Sequence, residues 1–240
     1  MYNITLISTI HSEIGQCNSS ELHKILEEIH PEVIFDELPI YLSDMYYSDS
    51  FDMYYANKIL RNQPLPIIPL EVKSIKRYKE NYNIKIIPVD IDLRQKLVEF
   101  EDEISFMFLT FFKNDDYKKL DNERDVFIEQ EGFHFLNSNI FLEFLDRKKI
   151  IEKNIIESEI QKNRLLNIYN LFQAEQYDNR ENAMLQNIYD YSKENQYNQG
   201  VFLIGAEHKK SIMQKITEYE KISEIKLNWK IYSNKYKTCH

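Results

Sequence analysis

The fold is decided by two apolar stretches near the N-terminus, Ile4-Thr5-Leu6-Ile7-Ser8-Thr9-Ile10 and Glu32-Val33-Ile34-Phe35-Asp36-Glu37. Both are rich in β-branched residues, a composition that is typical of buried strands. Between them, Asn18-Ser19-Ser20-Glu21 is typical of a helix N-cap, apolar residues then recur at helical spacing, and Pro31 ends the helix. A strand, a helix and a strand in succession predict a βαβ unit with two parallel strands and a right-handed crossover.

The rest of the chain favours the same fold class. Residues 84–90 and 200–205 are predicted as further strands, and residues 225–231 alternate between apolar and polar side chains, as a half-exposed strand does. Apolar residues between 93 and 177 recur at helical spacing, and residues 178–181 have the pattern of a capping box that starts another helix. We therefore predict that all 240 residues form one α/β domain. Its N- and C-terminal parts supply a mainly parallel central sheet, and residues 93–177 form a helical cap inserted in the middle.

The composition narrows the possible functions. Hydrophobic residues make up 43% and charged residues 29% of the chain, as in ordinary globular proteins. The formal net charge of −9 argues against nucleic-acid binding, which usually requires a basic face. Cys17 and Cys239 are too few for a disulfide framework, so we expect a reducing, cytoplasmic compartment. The N-terminus lacks the basic region of a signal peptide, and no stretch approaches the roughly 18 apolar residues of a membrane span.

Imidazoles and carboxylates follow the predicted strands at the points where each strand ends. Ligands of parallel α/β sheets bind just beyond the carboxyl ends of the strands, so these side chains are expected at one edge of the sheet. Two histidines and a carboxylate are a common ligand set for Zn²⁺, Mn²⁺ or Fe²⁺, although none of the spacings here matches a local metal motif. A bound metal lowers the pKa of its water ligand and polarises a carbonyl. The residues concerned are His11, Asp36, Glu37, Asp90, Asp92, Glu207 and His208.

Each of these residues also has an ordinary structural interpretation, and the sequence leaves both open. Asp90 and Asp92 suit the N-terminus of a helix that starts near residue 93, and Glu207 suits the first turn of the last helix. His11 is equally suited to a structural or exposed role, and Arg180 to a surface charge on its helix.

Several segments resemble a known family. Its members begin with Gly-x-x-His on a first strand and place a Glu at the end of the second, then carry an Arg-Asn-x-x-Met helix and a second Gly-x-x-His. The corresponding segments here are Ser8-Thr9-Ile10-His11, residues 31–38, Val89-Asp90-Ile91-Asp92, residues 179–184 and Gly205-Ala206-Glu207-His208. The chain thus resembles the TraB/Tiki family over residues 4–95 and 178–220.

The resemblance implies a metal-dependent hydrolase that acts on a peptide bond. The family includes the Tiki proteins, taken to be metal-dependent proteases, and TraB proteins that shut down peptide pheromones, with erythromycin esterases and a haem-binding lipoprotein as distant relatives. By resemblance, a divalent metal (Mn, Co or Zn) would bind three residues, and Arg180 would orient a carboxylate or stabilise an oxyanion. A neighbouring carboxylate, Glu207 or Asp36, would be the general base. The three metal-binding positions would be His11, Glu37 and His208.

Two departures from the family pattern favour a second hypothesis. Ser8 stands where the first motif has Gly, and Glu181 intervenes between Arg180 and Asn182. The membrane helices of many relatives have no counterpart here, so a soluble partner is implied. The alternative is therefore a protein that captures a peptide or small ligand between sheet and cap without turnover. The sequence predicts neither the substrate nor the oligomeric state.

Overall fold

The strands form one parallel sheet, which confirms the predicted α/β fold. The computed structural model describes residues 2–61 and 63–233, so Cys239 lies outside the described residues. Within these ranges the sheet has five strands, and every neighbouring pair is parallel. Its order is β3-β2-β4-β1-β5. The strands are β1 (Tyr2–Thr9), β2 (Val33–Asp36), β3 (Lys85–Pro88), β4 (Gln199–Gly205) and β5 (Leu227–Ile231).

Helices occupy the connections between these strands. The first four are α1 (Ser19–Ile29), α2 (Ile40–Tyr46), α3 (Asp49–Leu60) and α4 (Leu70–Asn81). The long connection from β3 to β4 consists of helices and turns throughout. It contains α5 (Arg94–Glu99), α6 (Glu101–Phe111), α7 (Asp115–Glu131), α8 (Phe133–Leu136), α9 (Asn139–Ser158), α10 (Lys162–Phe172), a π-helix (Gln173–Asn179) and α11 (Arg180–Glu194). After β4 come a 3₁₀ turn (Ala206–His208) and α12 (Lys209–Ile222).

The ends of two helices test the predicted capping signals. The side chain of Asn18 accepts a hydrogen bond from the Glu21 N–H, so α1 begins where its N-cap predicts. The capping box predicted at residues 178–181 does not form, although α11 begins at Arg180, within that range. Asn179 has α-helical dihedral angles and makes no side-chain capping bond, because α10 continues through the π-helix directly into α11.

The alternation of side chains along each strand divides the core into two layers. Ile7, Ile34 and Leu203 pack on one face of the sheet, together with α1 and α4. Leu6, Phe35 and Phe202 belong to the other layer, which includes α11 and α12. Successive residues of a strand point to opposite faces. The same alternation separates the consecutive acids Asp36 and Glu37 at the end of β2.

Strands β1 and β2, which follow one another in sequence, are not neighbours in the sheet. Strand β4 lies between β1 and β2, with Val201 paired with Thr5 on one side and with Ile34 on the other. The βαβ unit formed by β1, α1 and β2 therefore spans a gap of one strand, and this gap is filled by residues from near the end of the chain.

The segment between β3 and β4 has its own small core and is fixed to the sheet by polar contacts. Met107, Phe111 and Leu165 are buried together among α6, α7, α9 and α10. Asn137, which follows α8, accepts a hydrogen bond from the Ser8 N–H (2.8 Å) and donates one to the Ser8 carbonyl (3.1 Å). These bonds attach the turn between α8 and α9 to the carboxyl end of β1.

Two further observations concern the compartment and the membrane. Cys17 is buried, and no disulfide bond is formed within the described residues. Over those residues, no helix combines the length and the apolar character that a membrane span requires.

Candidate functional site

An ionic cluster lies beyond the carboxyl ends of β2 and β4, and Arg180 is at its centre. Its guanidinium donates two hydrogen bonds to Asp90, of 3.0 and 2.6 Å, and one of 2.8 Å to Glu37 Oε1. The second oxygen of Glu37 accepts a hydrogen bond from the Gly205 N–H. These residues, with Glu181 and His208, are called the Arg180 cluster below. Arg180 is thus an inward-facing residue, and its surface-charge interpretation is wrong.

Burial makes this cluster electrostatically strong. The side chains of Arg180, Asp90 and Glu37 are 17%, 6% and 7% exposed. Burial alone lowers the pKa of a guanidinium. The hydrogen bonds that Arg180 donates to Asp90 and the charges of Glu37 and Asp90 outweigh this effect, so the pKa of Arg180 is raised. Asp90 is therefore engaged by Arg180 and does not cap α5, whose N-cap position is Leu93 with no side-chain capping bond. Asp92 is exposed.

His208 lies between two carboxylates. Its Nδ1 is 2.7 Å from Glu181 Oε1, and its Nε2 is 3.5 Å from Glu37 Oε1. Glu181 is fully buried, and its other oxygen accepts a hydrogen bond of 2.6 Å from Lys215. The tautomer with a proton on Nδ1 donates to Glu181 and directs Nε2 towards Glu37. The ring of Tyr177 packs against the imidazole, with 4.9 Å between ring centroids.

A second polar cluster occupies the opposite face of the same edge, around Glu71 in the first turn of α4. Glu71 Oε1 accepts a hydrogen bond of 2.5 Å from the Thr9 hydroxyl and lies 3.5 Å from His11 Nδ1. Asp36 accepts a hydrogen bond of 2.7 Å from the Tyr47 hydroxyl. Glu71 Oε2 is buried, and no described residue donates a hydrogen bond to it. These five residues are called the Glu71 cluster below.

Two titratable groups of this cluster, Asp36 and His11, both have raised pKa values, for different reasons. Burial raises the pKa of Asp36 to about 7, although the hydrogen bond from Tyr47 opposes the shift. The contact with Glu71 raises the pKa of His11 to about 9, and the nearby Glu37 and Asp36 add to this effect. At neutral pH, His11 therefore carries a proton beside the carboxyl group of Glu71.

A small cavity connects the two clusters. It measures about 10 Å³, which is room for about one water molecule. Thr9, His11, Asp36, Glu37 and Glu71 are among the residues that line it. Glu37 therefore contacts His208 in the Arg180 cluster and also lines the small cavity that His11 lines.

The three predicted metal ligands are only partly brought together. Glu37 and His208 are in contact, whereas His11 lies across the small cavity beside Glu71. Within the described residues, no group of three or more His, Cys, Asp or Glu side chains is arranged to hold a metal ion. The donor chemistry nevertheless fits a divalent cation. Imidazole and carboxylate donors converge on this edge, and Glu71 Oε2 has no hydrogen-bond partner in the described part of the chain. A carboxylate also supports the far nitrogen of His208, as is common for metal-binding histidines.

The two predicted general bases lie in different surroundings. Asp36 lines the small cavity, where its carboxyl group is buried beside His11. Glu207 lies on the 3₁₀ turn and is directed towards the helical segment, where it contacts Lys148 (2.8 Å) and Arg124 (3.9 Å). No described contact joins Glu207 to Glu37 or His208.

Sequence reasoning missed Glu71 and the contacts that Glu181 makes. Glu71 follows Pro69-Leu70, outside any strand end, and an acid in the first turn of a helix is commonplace. In the sequence, Glu181 is the last residue of the predicted capping box and a departure from the Arg-Asn pattern, and neither feature predicts its contacts. Glu181 is adjacent to Arg180, and adjacent side chains on a helix point about 100° apart. The sequence therefore indicated that these two residues contact different partners.

The fold and the site define an α/β protein with a buried ionic site at the carboxyl edge of a parallel sheet. No protein-family model matches the chain, and no curated protein matches it in sequence. The TraB/Tiki resemblance therefore rests on the motifs alone.

Proposed function

We propose that this chain is a metal-dependent hydrolase of the TraB/Tiki type that acts on a peptide bond. The observation that carries the proposal is the orientation of His208. The fully buried Glu181 holds its Nδ1, and its Nε2 is directed at the buried carboxylate of Glu37. Proteins commonly orient metal-binding histidines through a carboxylate on the other ring nitrogen, and Glu181 holds that position here.

The residues have distinct roles in this proposal. His11, Glu37 and His208 hold the divalent cation (Mn²⁺, Co²⁺ or Zn²⁺), which supplies an acidified water and a polarised carbonyl when it is bound. Arg180 offers a cation beside Glu37 for a substrate carboxylate or a developing oxyanion.

Asp36 is the better supported of the two general bases. Its pKa of about 7 allows its carboxyl group to accept and return a proton near neutral pH. Glu207 is held by Lys148 instead, so its charge is already compensated on the side away from the cavity.

A ligand-binding protein without turnover is the second candidate, and one observation favours it. Both oxygens of Glu37 have donors without any metal, because Arg180 donates to Oε1 and the Gly205 N–H donates to Oε2. Such a site is stable as it stands and offers charged groups to a ligand.

Metal content tests the proposal first. Tag-free protein dialysed against Mn²⁺, Co²⁺ or Zn²⁺ is expected to retain one stoichiometric equivalent, and His11→Ala and His208→Ala are each expected to lose it. His134→Ala is the matched control, because His134 is exposed on α8. Equal metal content in all three variants and wild type would refute the ligand assignment.

Cleavage separates the two candidates. Wild type is assayed on a peptide library with Mn²⁺ or Co²⁺, beside Glu37→Gln, which keeps the volume and removes the charge. The hydrolase is expected to lose turnover by orders of magnitude in this variant. Absence of cleavage in wild type, together with a peptide that co-purifies, would establish the binding protein instead.

A further inference from the structure

A second and much larger cavity lies between the helical segment and the residues that follow β4. It measures about 510 Å³, within the range of sites that bind small molecules and peptide side chains. Aromatic rings form much of its wall, among them Phe111, Phe112, Tyr169, Phe172 and Tyr177. They come from α6, the residue that follows it, α10 and the π-helix, and all five residues lie outside the segments of family resemblance.

The π-helix connects this cavity to the Arg180 cluster. π-Helices are rare and are often found at functional sites. Here Gln173 and Tyr177 of the π-helix line the cavity, and Arg180 follows at the start of α11, where it reaches Glu37. The ring of Tyr177 also packs against His208, with centroids 4.9 Å apart. One wall of the cavity is therefore in contact with the candidate site.

The polar groups of the cavity indicate what kind of ligand it fits. Glu207 is paired with Lys148, and Glu152 accepts a hydrogen bond of 3.1 Å from the Tyr169 hydroxyl. Charges of both signs and ring hydroxyls thus line the cavity together with apolar ring faces. A lipid tail requires a continuous apolar channel, because unpaired polar groups beside it are costly. A peptide matches this mixed lining, since an apolar side chain extends from a backbone with its own donors and acceptors.

We infer that this cavity binds a large apolar side chain, preferably an aromatic one, of a peptide ligand whose backbone lies beside His208 and Arg180. Aromatic side chains gain both buried area and ring–ring contacts in such surroundings. The assignment of this peptide as a substrate rests on the proposed function, whereas its binding does not, because the cavity residues include none of the proposed metal ligands.

The test measures binding to the full chain without metal. N-acetyl-Ala-Phe-amide and N-acetyl-Ala-Ser-amide are titrated into the protein and followed by heteronuclear NMR. We expect the Phe peptide to bind about 10- to 100-fold more tightly, the preference that burial of one aromatic ring supplies. Phe112→Glu, at a cavity residue that is 45% exposed, is expected to remove most of this preference. Leu109→Glu is the matched control, because Leu109 is 64% exposed on the same helix and is not among the described cavity residues.

A second variant and a second ligand complete the test. Gln214→Trp places a ring on the opposite wall and is also expected to weaken binding of the Phe peptide. Equal affinity for the two peptides, or unchanged affinity in both cavity variants, would overturn the inference. Preferential binding of decanoate over the Phe peptide would overturn it in favour of an apolar small molecule. Metal-dependent cleavage without any aromatic preference would leave the proposed function standing and refute only the cavity assignment. A preference for the Phe peptide without any metal binding would refute the proposed function and leave the cavity assignment standing.

Discussion

Replacing Arg180 with Met tests whether the Arg180 cluster is the buried ionic centre described above. The change removes three hydrogen bonds to carboxylates and one to Gln176, and it leaves two carboxylates, Asp90 and Glu37, that are 6% and 7% exposed. The side chain of Met fills similar space, so packing changes little. The dominant effect is therefore the loss of the only described cation that contacts either carboxylate within hydrogen-bonding distance.

The magnitude follows from this burial. Removal of one partner from a buried ion pair costs about 3–5 kcal/mol, because the remaining charge is left without compensation. Arg180 is 17% exposed, so water recovers only a small part of that cost. We expect the free energy of unfolding to fall by about 3–5 kcal/mol in Arg180→Met. Arg180→Lys keeps the charge and loses the bidentate hydrogen bonding to Asp90, so we expect an intermediate fall in the free energy of unfolding.

Urea unfolding followed by circular dichroism is the assay, with Arg147→Met as the control. Arg147 also makes a bidentate contact, with two hydrogen bonds of 2.8 Å to Glu123. The side chains of this pair are 54% and 39% exposed. An exposed pair of this kind contributes roughly 0–1 kcal/mol. The urea midpoint is expected to fall strongly in Arg180→Met and hardly in Arg147→Met, with similar slopes. Equal midpoints in the two variants would refute the role given to burial.

Three further predictions concern other parts of the molecule. Glu181→Gln is expected to weaken metal binding by about 10- to 100-fold and to shift the ¹⁵N resonances of His208; unchanged resonances would contradict the assigned contact. Burial raises the pKa of Asp36 from its ordinary 3.8 to about 7, so the folded state holds this proton more tightly and stability is lost as pH rises between these values. Asp36→Asn should therefore raise the urea midpoint at about pH 8 and leave it nearly unchanged at about pH 4, and the opposite order would contradict the shift. Gly132 has φ +54°, and an added Cβ would lie 2.5 Å from the Gln16 carbonyl oxygen, so Gly132→Ala should lower the melting temperature, while an unchanged value would contradict this geometry.

The sequence predicted which segments form strands better than it predicted where they lie. Residues 4–10 and 32–37 carry strand composition that is visible locally, and both form strands. The position of β4 between β1 and β2 depends on packing between distant segments, and no local pattern encodes it. The capping signal at residues 178–181 failed for a related reason, since a local motif does not exclude a helix that is already in progress.

The same distinction applies to the site. The residues at strand ends were predicted to gather at one edge, and His208 and Glu37 do so. Asp36 and Glu37 lie on opposite faces of the sheet because side chains alternate along a strand, and this could have been predicted from the sequence. The presence of Glu71 in the site could not be predicted from the sequence, because its position depends on how α4 packs beside β1 and β2 rather than on its neighbours in sequence.

The position of β4 has a consequence for the order in which the molecule assembles. A nascent chain or proteolytic fragment that ends before residue 199 contains β1 and β2 but lacks the strand that pairs with both. The facing edges of β1 and β2 then present unpaired backbone groups, the usual template for association with another chain. Formation of the complete sheet has to wait for pairing between residues about 195 positions apart, which favours slow folding. We therefore expect a fragment that ends before residue 199 to bind a separate segment containing residues 199–233, and the two pieces together to form the complete sheet.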